Sequence, residues 1–182
     1  MMEAQSVPPQ KQSARSWIRL LTIGRNPKTT AVRAVLLALV CLVVFKLALA
    51  PAWVEGLSMA PTYATHSFTF VNRLAYLRHE PRRGDVVGIR LTQETWTLPH
   101  IMYFKRIVGL PGEEVFFANG RLFINGRPLA EPYEKGPCDW NVPAVTLGAD
   151  EYFVVGDNRS MPQEEHVFGK AQRGRIVGKA LL

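Results

Sequence analysis

The sequence predicts a mainly β fold, an antiparallel body behind a single N-terminal transmembrane helix, and three observations carry that expectation. One long apolar run, 34–54, stands alone near the start of the 182-residue chain. Beyond Pro51 the Val, Ile, Phe and Tyr residues fall in short runs bounded by Gly, Pro or Asn, as strands do. Asn119-Gly120 between two such runs is a hairpin signal, and Asn125-Gly126 repeats it at once.

In chain order, the first element is a basic tail. Residues 1–33 hold Lys11, Arg15, Arg19, Arg25, Lys28 and Arg33 against a single acid, Glu3. Pro8-Pro9 and the surrounding Gln and Ser predict a mobile start, and 16–23 reads as a short interfacial helix. The whole chain has 22 Lys+Arg, 15 Asp+Glu and a net charge of +7, a balance that could indicate a nucleic-acid partner. From Pro51 onward, however, 15 basic residues face 14 acidic ones, so the excess belongs to the tail. There it works as a topology signal that retains the tail on the cytoplasmic side, and no nucleic-acid partner is expected.

The second element, 34–54, is the predicted anchor in a lipid bilayer. About 20 residues of helix cross a hydrocarbon core of about 30 Å. Lys46 can snorkel to the headgroups and Trp53 can sit at the outer interface. Ala48-Leu49-Ala50 has the spacing of a cleavage site, but Pro51 would put a constrained imide at the scissile bond, which favours a retained, single-pass anchor.

The third element, 55–182, is then a body on the extracytoplasmic side. Strands are predicted at 69–71, 85–90, 101–108, 114–118, 121–124 and 151–155, with a short helix possible at 71–77. Between 128 and 143 the chain holds Pro128, Pro132, Pro137 and Pro143 with Gly136, which predicts a long excursion from the sheet. At 47% hydrophobic and 20% charged residues the chain is too apolar to be disordered. Its two cysteines, Cys41 in the span and Cys138 in the body, cannot meet, and no metal-ligand spacing accompanies them. Neither a metal nor a cofactor is expected.

Four segments carry the chemistry: Gly-Leu-Ser-Met-Ala-Pro-Thr at 56–62, Arg-Gly-Asp-Val-Val at 83–87, Lys-Arg-Ile-Val-Gly-Leu-Pro-Gly-Glu at 105–113, and Gly-Asp-Asn-Arg at 156–159. Each alone is ordinary: Ser58 suits a turn, Lys105 a solvated strand edge, and Gly156 with Asp157 and Asn158 another turn. Lys105 is nonetheless set among Ile101, Met102, Tyr103, Phe104, Ile107 and Val108. An ammonium desolvated by such neighbours loses its proton more easily, and the neutral amine can activate a hydroxyl. The four histidines, His66, His79, His100 and His166, sit in no catalytic context, so Ser58 with Lys105 is a better pairing than a Ser/His/Asp triad.

Together, in this order and behind an N-terminal anchor, the four segments resemble those of bacterial type I signal peptidases, over the chain from about residue 53 to its end. The resemblance implies a membrane-bound serine endopeptidase of the cytoplasmic membrane, with a largely antiparallel β catalytic domain, that removes signal peptides from exported preproteins after Ala-x-Ala-like sites. It implies Ser58 as nucleophile, Lys105 as general base and the Ser58 N–H as an oxyanion donor. Gly56 stands where part of the family has a Ser that supplies the second donor. A supporting set of Arg106, Asp157, Asn158, Arg159 and Ser160, together with Arg83 and Asp85, is implied, with Asp157 paired to Arg106. The substrate would add as a strand, and Val54, Met59, Tyr103 and Phe104 flank the two catalytic residues as candidate pocket walls.

The last segment departs from the family pattern. Pro162 stands in place of a Ser that would bond the Lys, Glu164 in place of an Asp and His166 in place of an Arg, and Ser160 is a candidate replacement hydroxyl. Expected partners are preprotein signal peptides and the bilayer, with the oligomeric state open. A specialised pilin- or conjugation-system peptidase and a catalytically silent signal-peptide binder are the alternatives. Self-cleaving repressors with similar segments would need a DNA-binding domain, for which this N-terminus is too short and apolar.

Overall fold

The computed structural model describes residues 26–90, 102–134 and 136–181, which fall into two compact units dividing between Val43 and Val44. The tail to residue 25, with its expected interfacial helix at 16–23, and Ile101 lie outside the described residues.

Helix α1 runs Pro27–Leu47. Pro at the first helical position has its φ already set, and the Asn26 side chain accepts the Lys28 N–H at 3.1 Å, capping the turn. The stretch Lys28–Leu47 has a mean hydropathy of 2.3 and is long and apolar enough to cross a membrane, with its Val and Leu side chains exposed. The expected bounds of 34–54 are therefore displaced. Residues Leu49–Val54 form strand β1 instead, because Ala50, Ala52 and Val54 alternate inward while Pro51 and Trp53 point outward. That is a two-residue period, and Pro51 has no N–H to continue a helix.

Ten more strands follow: β2 Ser67–Asn72, β3 Val86–Arg90, β4 Met102–Gly109, β5 Glu114–Ala118, β6 Arg121–Ile124, β7 Arg127–Pro128, β8 Val142–Thr146, β9 Glu151–Val155, β10 Gly169–Gln172 and β11 Ile176–Ala180. Seven make one antiparallel sheet in the order β1-β2-β11-β3-β4-β9-β10, and four make a second in the order β7-β6-β5-β8. The mainly antiparallel β expectation is met, and all six anticipated strands are present. The helix considered at 71–77 is not: β2 continues to Asn72, whose side chain accepts the Leu74 N–H at 2.9 Å and turns the chain. Both Asn-Gly pairs have positive φ and join β5 to β6 and β6 to β7.

Three apolar clusters bury the sheets. Val54, Met59, Val71 and Phe104 belong to one, Val115, Phe117, Trp140 and Phe153 to a second, and Val87, Ile107 and Val154 to a third. The framework sets β4 centrally, between β3 and β9, with β1 at an edge among the described residues.

Candidate active site

Ser58 lies in the loop joining β1 to β2. Gly56 enters this loop at a φ of +96°, a conformation a side chain disfavours, and its N–H donates to Thr65 Oγ1 at 3.2 Å. Met59 and Tyr63 turn into the core, with the Tyr63 N–H donating to the Met59 carbonyl, and this leaves Ser58 half-buried at the loop's head.

Lys105 arrives from the middle of β4, paired opposite Val87 of β3. It is only 3% exposed, and its Nζ lies 2.5 Å from Ser58 Oγ. Burial lowers its pKa from 10.5 to about 8, against the opposing pull of the Asp157 carboxylate. The neutral amine is thus reached within about one pH unit of neutrality, in contact with the hydroxyl it would deprotonate.

The turn after β9 locks this pair in place. Gly156 packs so closely that a Cβ there would fall 2.1 Å from the Ser58 carbonyl oxygen. The Asn158 N–H donates to that same carbonyl at 3.0 Å, and the Asn158 side chain donates to the Leu57 carbonyl at 3.1 Å. Asp157, fully buried, accepts from Arg106 Nε at 2.7 Å and Arg106 Nη2 at 2.6 Å, and from the Thr62 hydroxyl at 2.6 Å. The expected Asp157–Arg106 pair is therefore a two-pronged, buried one. It ties the residue next to Lys105 to the loop that holds Ser58.

Arg159 is 1% exposed and pairs through two nitrogens with Glu131, while its Nε donates to the Gly156 carbonyl at 2.8 Å. The ring of Tyr133 stacks 4.0 Å from the Arg106 guanidinium. Glu131 and Tyr133 sit in the proline-rich excursion and were not anticipated. The available clue was that a buried Arg159 requires an acid, and the sequence does not say which one. Thr62 was also missed as a participant, although it closes the first motif.

Arg83 bonds the Val108 carbonyl and Glu113, and Asp85 accepts from Tyr76, the Arg82 N–H and Lys179, so both brace the sheet away from Ser58. Ser160 does not take over the missing hydroxyl: it donates to Asn158 Oδ1 at 2.6 Å, and Lys105 Nζ has no hydrogen-bond partner besides Ser58 among the described residues. Of the candidate pocket walls, Val54, Met59 and Phe104 are core residues, whereas Tyr103 is exposed. Gly56 brings no hydroxyl, and its N–H is already engaged by Thr65, whereas the Ser58 N–H has no partner among the described residues.

The family model described as signal peptidase, peptidase S26, matches residues 28–182. The chain belongs to this signal peptidase family. Signal peptidase I T of Bacillus subtilis is 37% identical over 70% of this chain and 69% of its own length. Signal peptidase I of Leptolyngbya laminosa is 34% identical over 71% of the chain and 66% of its own length. Probable signal peptidase I-2 of Synechocystis is 31% identical over 71% of the chain and 60% of its own length. The matched part of the chain thus spans roughly two-thirds of the length of these signal peptidase relatives. A solved signal peptidase I from Enterococcus faecalis aligns with 55% of the chain and 96% of its own length, at 25% identity and a TM-score of 0.43.

Proposed function

We propose that this family member is a membrane-anchored serine endopeptidase that removes signal peptides from exported preproteins after small-x-small sites, with Ser58 as nucleophile and Lys105 as general base. The observation that carries the reading is the 2.5 Å approach of a buried, pKa-lowered Lys105 Nζ to Ser58 Oγ. The neutral amine takes the Ser58 proton as Oγ attacks the scissile carbonyl. The ammonium so formed returns that proton to the leaving amine, and water, activated in the same way, hydrolyses the acyl-enzyme. The unpartnered Ser58 N–H supports its role as oxyanion donor. The edge position of β1, four residues before Ser58, suits a substrate that binds as an added strand. Val54, Met59 and Phe104 would then make a floor already filled by side chains, which leaves room only for small substrate residues. In this reading α1 spans the cytoplasmic membrane, with the tail inside and the body outside.

The test uses full-length protein in detergent and a preprotein with an Ala-x-Ala site. Wild type should cut it, with kcat/KM rising as pH climbs through about 8, where Lys105 becomes neutral. Ser58→Ala and Lys105→Ala should each abolish cutting. Full activity in either variant removes the dyad, and intact preprotein that co-purifies with wild type but is never cut removes the peptidase.

A further inference from the structure

His166 is 4% exposed, in edge-to-face contact with Trp140 at 4.7 Å between ring centroids and close to Phe168. Its Nε2 accepts the Gly156 N–H at 2.9 Å, so that nitrogen carries no proton. The proton of the neutral ring must then sit on Nδ1, which is buried without a hydrogen-bond partner. Packed by Trp140 and Phe168, the ring makes its one side-chain hydrogen bond to Gly156, the residue that abuts the Ser58 carbonyl. Gly156 is squeezed between the two: a Cβ on it would fall 2.5 Å from His166 Nε2 on one side and 2.1 Å from the Ser58 carbonyl oxygen on the other. The charged groups that act on the ring are Lys105 and Arg159, both basic, and with burial they oppose its protonation, lowering its pKa to about 3.

We infer that His166 is a positioning residue of this site: as a neutral, Nδ1-protonated imidazole it anchors the Gly156 N–H and so presses the turn 156–158 against the Ser58 backbone, setting where Oγ stands relative to Lys105. The role rests on the peptidase reading above. It assigns a use to a histidine in the segment that departs from the family pattern, beside a glycine that has no room for a Cβ.

Two experiments on the full-length protein in detergent test it. His166→Phe keeps the ring against Trp140 but removes the acceptor, whereas His166→Gln returns an acceptor near the place of Nε2. The Phe variant should lose about tenfold or more in kcat with KM within about twofold, and the Gln variant should recover most of it. Unchanged kcat in the Phe variant overturns the inference, as does a loss that Gln leaves unrepaired. Independently of any variant's folding, ring ¹⁵N NMR of the wild type should show the Nδ1–H tautomer, unchanged from pH 8 to pH 5. An Nε2–H tautomer, or titration near the ordinary value of 6.5, overturns it even if the wild type cuts normally. A wild type that shows the Nδ1–H tautomer yet never cuts overturns the peptidase reading, and the catalytic role with it.

Discussion

Lys105 holds its amine where the charged form is disfavoured, and the fold is less stable for it at neutral pH. The folded chain releases that proton near pH 8, whereas the unfolded chain keeps it to about 10.5. Between those values the unfolded state binds more protons, so stability rises with pH across that window and gains nothing from this group below it. Buried Tyr76 and Tyr133, both with raised pKa, oppose this above about pH 10. Lys105→Met should therefore be inactive yet more stable at pH 7, by on the order of 1–3 kcal/mol, and should lose the upward slope between pH 8 and 9.5. Denaturant titration at several pH values measures both. A Met variant less stable than wild type at pH 7 would show that the Ser58 contact outweighs desolvation.

At the level of elements, the site is made where the β1–β2 loop, β4 and the turn after β9 converge. The critical joint is Gly156, where any Cβ meets the Ser58 carbonyl and the His166 ring together. Gly156→Ala should fold with both sheets intact by circular dichroism but lose about 100-fold or more in kcat, the scale expected when a reacting group moves by about 1 Å. Activity within a few fold of wild type would mean that the turn yields freely. The sequence made much of this legible. Ser58, Lys105, Asp157 and Arg106 were readable because short motifs carry them, and the six apolar strands because Val, Ile and Phe mark them. Strands β8 and β10 were not, since Val142–Thr146 contains Pro143 and Gly169–Gln172 buries only Ala171. Strand β1 was hidden inside an apolar run whose composition serves a membrane helix as well as a buried strand. Glu131 and Tyr133 escaped because their partners lie 28 and 27 residues away in sequence, and no local pattern reports a long-range ion pair or ring stack.

For the molecule as a whole, charge and apolarity are segregated along the chain: a basic N-terminal segment, one apolar helix, and a nearly neutral β body. The proposed orientation, tail inside, predicts that protease added to intact spheroplasts digests the body and spares an N-terminal tag; digestion of the tag instead would reverse the orientation. The side of β1 left unpaired among the described residues also bears on self-association. A free strand edge is a template for any extended chain, a second copy of the same molecule included. Pro51 has no N–H to offer, so a continuous ladder along β1 is broken near its middle. What remains uninterrupted is the short stretch 52–54 leading to Ser58. In the proposed reading a substrate added here is gripped only over the few residues around its scissile bond, and the same break shortens any ladder that two copies could build along this edge.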